Sequence, residues 1–212
     1  MIKKILVLSC IVFVFACKES NPPINLGENE SLVLIDTCYT LASGDIPAAD
    51  FRGVLVEDLT GVRCVACPNA ADAAAAIKAG QTTNPIVVLG LYPIEPKSLT
   101  FPQPDYPDLR TETSQLIGSN VFSFSNVLPA GGVNRTVFSG ESSVNIGYSK
   151  WASNANTFTG EKGIVNIELE KEFVNDSTVN VQGVFTFTET PVENPFVTVM
   201  ILEDDIKHPQ YY

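Results

Sequence analysis

The stretch Glu57 to Ala70, EDLTGVRCVACPNA, constrains this chain more than any other. Two cysteines, Cys64 and Cys67, stand two residues apart where one kind of local structure gives way to another. Before them, GVLVEDL (53–59) is apolar at Val54, Leu55, Val56 and Leu59 and reads as a strand. Thr60-Gly61 is a turn. After them, Pro68 suits the first turn of a helix, NAADAAAAIKAG carries it on alanines, and Gly80 ends it. A cysteine pair at such a junction has three ordinary uses. It is a redox couple, half of a metal site, or a disulfide that holds a turn.

The opening residues belong to targeting rather than to the fold. MIKK is a short basic start, and an apolar run from Ile5 to Ala16 follows, broken by Ser9 and Cys10. The run is short for a membrane span and has the form of a signal peptide, residues 1–16. Its end, Val14-Phe15-Ala16-Cys17, resembles the lipobox of bacterial lipoproteins. The resemblance implies cleavage before Cys17, lipid on that residue and a membrane anchor of several acyl chains. Residues 17–30, polar with Pro22, Pro23 and Gly27, read as the tether. Loss of Lys3 and Lys4 leaves 11 basic against 24 acidic residues. Charge therefore does not hold the polypeptide to anionic lipid, and nucleic acid is excluded as a partner.

The remainder divides near residue 160. In the first part, 31–159, SLVLIDTCYTL (31–41) is β-like and IVVLGLY (86–92) is a buried strand. Pro93 to Pro107 is too rich in proline for regular structure. With Tyr92, Phe101 and Tyr106 it reads as a long loop pinned to the core, or else as a contact surface. DLRTETSQLIG is a helix capped by Asp108, NVLPAGGVNRTVF is a loop whose Pro129 enters a strand, and GYSKWASNANTF is an amphipathic helix with Trp151 in the core. In the second part, 160–212, GIVNIELEKEF and STVNVQGVFTFTE alternate apolar and polar residues about Asn175-Asp176, and FVTVMILED reads as a third strand. The expected class is an α/β domain followed by an all-β, sandwich-like part. Three strands with one open apolar face make a poor independent unit, so that part is expected to be incomplete or covered.

The order strand, CxxC, helix, strand, helix, X-Pro, strand, helix resembles a thioredoxin-like core. The resemblance implies Cys64 as the attacking thiol at a helix N-terminus, Cys67 as the resolving thiol, and Pro129, after Leu128, as a cis-proline. Alternation sends Glu57 and Asp58 to opposite faces. Asp58, six residues before Cys64, matches the buried acid of thioredoxins and is the expected proton acceptor. VLVEDLTGVRCVACP, with PAGGVNR (129–135) and Glu203-Asp204, is also similar to the Omp28-related outer membrane lipoproteins of Bacteroidetes. That resemblance implies a thioredoxin-like domain and a β-rich domain on an outer-membrane lipid anchor, and members that extend beyond this chain's end. Val65-Ala66 between the cysteines and Arg63 before them depart from thioredoxins. Arg63 is expected to favour thiolate at Cys64.

Two rivals stand beside exchange of disulfides with an envelope protein or peptide. Zinc needs four ligands, and beyond the pair only Cys38 and His208 are on offer, so no metal or other cofactor is expected. A structural disulfide suits the oxidising envelope, with the β-rich part then binding a partner. Cys38 reads as a buried inert thiol or as a third redox partner. His208 is not expected to be catalytic, and one histidine builds no hydrolase triad.

Overall fold

The computed structural model describes residues 38–175 and 178–211. The chain divides into two units, residues 1–40 and Leu41–Tyr212, and the fold described here is that of the second. The expected signal peptide, Cys17, the expected tether and most of the strand expected at 31–41 lie outside the described residues.

A three-stranded sheet organises the first part. Strand β1 (Val54–Leu59) lies in the middle, parallel to β2 (Ile86–Leu91) and antiparallel to β3 (Ala130–Val133). A parallel pair needs a crossover, and helix α1 (Cys67–Gly80) supplies it. Pro68 sits in its first turn, and Cys67, Ala70, Ala74 and Ile77 form its buried stripe at helical spacing. Gly80 is the last helical residue, and the N–H of Gln81 bonds back to the Ile77 carbonyl.

Each face of the sheet has its own cluster. Val54, Val56 and Val133 meet α1 together with Trp151, Ala155 and Phe158. Leu59, Leu89, Leu91 and Ala130 meet Phe122, Leu128 and both cysteines. Trp151 is fully buried, and its indole N–H donates to the Ile146 carbonyl at 3.1 Å. It opens α4 (Trp151–Asn156), preceded by a short 3-10 turn at Tyr148–Lys150 that shortens the helix expected from Gly147.

Two local expectations are corrected. The proline-rich stretch holds a one-turn helix, α2 (Lys97–Thr100), where Thr100 Oγ1 is buried and donates to the carbonyls of Ile94 and Pro96. The next helix, α3 (Glu112–Asn120), is capped by Thr111, whose hydroxyl accepts from the Ser114 N–H at 3.0 Å. Asp108 instead grips Arg110 at 2.7 Å. The helix starts at Glu112, so Thr111 rather than Asp108 stands at the cap position.

The C-terminal part contains one antiparallel pair, β4 (Val165–Asn175) and β5 (Thr178–Phe187). Asn166 anchors it, accepting from the Asp50 N–H and donating to the Ala48 carbonyl, each at 2.8 Å. Residues 196–204, expected as a third strand, are not in a strand and are mostly exposed. A two-stranded ribbon thus takes the place of the expected sandwich among the described residues. Pro191 and Pro195, which have no N–H to give a ladder, stand just before residues 196–204.

Candidate functional site

Cys64 and Cys67 are joined by a disulfide, with the S–S distance 2.06 Å and the Cα atoms 5.3 Å apart. β1 delivers the pair. Its last residue, Leu59, is followed by Thr60 and Gly61, and the Cys64 N–H donates to the Gly61 carbonyl at 3.0 Å. Gly61 is required by space, since a Cβ there would collide with the Leu99 carbonyl. The helix begins at Cys67, so Cys64 stands one turn ahead of it rather than within its first turn. Both cysteines are buried, Cys64 2% and Cys67 0% exposed, while Val65 between them is 61% exposed.

The sheet brings Pro129 level with the end of β1. Leu59 is the register partner of Ala130, so the residue before β3 is level with the end of β1. The Leu128–Pro129 peptide bond is cis, and Leu128 and Ala130 pack in the cluster that contains both cysteines. A second cis bond, Glu95–Pro96, had no separate signal in the proline-rich stretch.

The neighbouring acids part company as alternation requires. Asp58 is buried and lines a cleft of about 250 Å³ with Thr60, Ala71, Lys78, Tyr92 and Gln210. Its Oδ1 has no hydrogen-bond partner. Burial pushes its carboxyl up to about 7, so it exchanges a proton near neutral pH. Tyr92 is also pushed up, first by burial and then by the Asp58 charge. Lys78 is the cation on this cleft.

Glu57 serves a different partner. Its fully buried carboxylate takes two bonds from Arg135, Nε to Oε2 at 2.9 Å and Nη2 to Oε1 at 2.7 Å. Asn134 beside it accepts from the Leu55 N–H at 2.7 Å, and its own N–H donates to the Leu55 carbonyl at 2.8 Å. Glu57 and the Asn-Arg dipeptide were both visible in sequence, but their pairing across 78 residues was not. This pair closes β3 onto β1 and holds the proline loop in register.

Arg63 is corrected. Its guanidinium donates to the Pro102 carbonyl at 2.9 Å and lies over the Phe101 ring, 5.5 Å from the centroid. It fixes the proline-rich loop to the cysteine turn, a use that an Arg-aromatic contact favours. Cys38 is exposed, so the buried-thiol reading does not hold. His208 meets the Tyr106 ring, with centroids 5.1 Å apart. Among the described residues, no three His, Cys, Asp or Glu side chains converge as a metal site would require.

Comparisons with models of protein families, with curated proteins and with solved structures find no match.

Proposed function

We propose that this protein exchanges disulfides with envelope proteins or peptides through a thioredoxin-like core, from a lipid anchor at Cys17 on the outer membrane. One observation carries the reading: a Cys64–Cys67 disulfide stands at the start of α1 and packs with Leu128 and Ala130, the two residues that flank the cis-proline Pro129. The packing of both cysteines in one cluster with Leu59 and Phe122 supports it.

In the oxidised form, a substrate thiolate attacks Cys64 Sγ. The Cys64–Cys67 bond breaks, and Cys67 leaves as thiolate and takes a proton, for which protonated Asp58 is the proposed source. A second substrate thiolate then attacks the substrate sulfur of the mixed disulfide. Cys64 leaves as thiolate, the substrate holds a disulfide, and two electrons rest on the pair as a Cys64 thiolate and a Cys67 thiol. The reverse sequence reduces a substrate.

Burial of both sulfurs favours a second reading, in which the disulfide is a staple and the exposed apolar ribbon binds a partner. Trapping separates the two. Cys67→Ser leaves Cys64 without its resolving thiol, so a disulfide-bearing peptide is expected to accumulate as a stable Cys64 adduct, seen by mass. A folded Cys67→Ser protein that takes up no peptide would overturn the exchange reading.

A further inference from the structure

The segment His208–Tyr211 runs across the loop that carries the disulfide. On one side it bonds the cysteine turn. The Tyr211 N–H donates to the Val62 carbonyl at 3.3 Å, and Gln210 Nε2 donates to the carbonyls of Gly61 at 2.9 Å and Cys64 at 3.4 Å. On the other side it bonds the proline-rich loop. Gln103 Nε2 donates to the Pro209 carbonyl at 3.2 Å, and Tyr106 packs on His208. Arg63 ties those two loops to each other, so they form one surface. Gln210 lines the Asp58 cleft as well.

This is how a surface holds an extended peptide. One main-chain N–H meets a main-chain carbonyl, a side-chain amide spans two more, and an aromatic ring seats the neighbouring residue. None of these contacts belongs to a helix or a sheet. The segment is sequestered by the cysteine turn although about 150 residues separate them, as the 149-residue span from Gly61 to Gln210 records. We propose that the turn 61–64 and the loop 102–106 form a peptide-docking surface, and that His208–Tyr211 is its built-in occupant, a strap that an incoming peptide displaces to reach Cys64. Its regulatory consequence rests on the exchange reading; the strap itself does not. It accounts for a cysteine pair that is buried although the dipeptide between them is exposed.

The rate at which a water-soluble phosphine reduces Cys64–Cys67 reads the strap directly. The phosphine takes oxygen from water and the disulfide becomes two thiols, whatever the protein's own activity. Gln210→Ala and, separately, Tyr106→Ala are expected to speed reduction about tenfold, the size one or two net hydrogen bonds produce. A synthetic peptide of residues 203–211, EDDIKHPQY, is expected to slow the Gln210→Ala protein back toward the parent rate. Equal rates in parent and both variants, or a peptide without effect on Gln210→Ala, would overturn the proposal. Failure of the exchange reading has a different signature: no peptide adduct at Cys64 in strapped or released protein, with the phosphine rates still apart.

Discussion

β1 and β4 are both rich in apolar residues, yet they have opposite fates. Five of the six residues of β1 are buried, including a glutamate and an aspartate. In β4 one residue is buried, and Ile167, Leu169 and Phe173 are 56%, 66% and 71% exposed. β1 has a strand on each side and packed helices on its faces, whereas β4 has β5 alone. Ile167, Leu169 and Phe173 share a face with Val181, Phe185 and Val179 across the ribbon, and no described element covers that face. Alternation therefore reports that a segment is a strand; it does not report what covers it. The difference also locates the chemistry. An acid acquires an unusual proton affinity on β1 because the core surrounds it, and the acids of β4 stay in water.

Trp151→Ala tests that contrast most severely. Deleting this fully buried side chain is expected to cost about 3–5 kcal/mol in denaturant unfolding. A loss near zero would place the core elsewhere.

The pH dependence of stability tests Asp58. Its folded value lies above its ordinary 3.8, so folding favours the protonated form. The stability this contributes is full below 3.8 and is lost as pH rises through about 7. The change is on the order of 4 kcal/mol at most, and Asp58→Asn is expected to flatten it in urea titrations across that window. An unchanged slope would show that Asp58 is not the group responsible.

Arg135→Ala leaves the buried Glu57 carboxylate without its partner. The expected loss is about 3 kcal/mol, at the low end for a broken buried pair because Arg135 is 35% exposed. Replacing both, Glu57→Leu with Arg135→Met, is expected to recover most of it. No recovery would mean that the pair's geometry, rather than the stranded charge, matters.

The smallest effect belongs to the ribbon. Leu169→Ser is expected to change stability by no more than about 0.5 kcal/mol, measured on the same protein. A loss of several kcal/mol would show that this face is covered in solution.

The part of the site written in adjacent residues was legible in the sequence. Strand β1, the turn, Cys64, Cys67 and α1 are consecutive, and each carries a local signal of apolar run, glycine, proline or alanine. Opposite faces for Glu57 and Asp58 follow from strand geometry alone. What was hidden depends on distant partners. Arg63 had a charge to read but no sign that Phe101 and Pro102 would claim it. Thr111 caps α3 in place of Asp108 because the helix starts at Glu112, and a capping preference alone does not fix where a helix starts. Gln210 looked like an unremarkable polar residue until the chain laid it over Gly61.

The redox equilibrium of the purified protein tests the central claim most directly. It is poised in glutathione buffers, its thiols are alkylated, and the modified cysteines are mapped by mass. Exchange predicts that Cys64 and Cys67 interconvert at potentials near the glutathione range, about −180 to −260 mV, with Cys64 alkylated first at neutral pH. A pair still oxidised well below about −300 mV would be a structural staple, and would contradict the account.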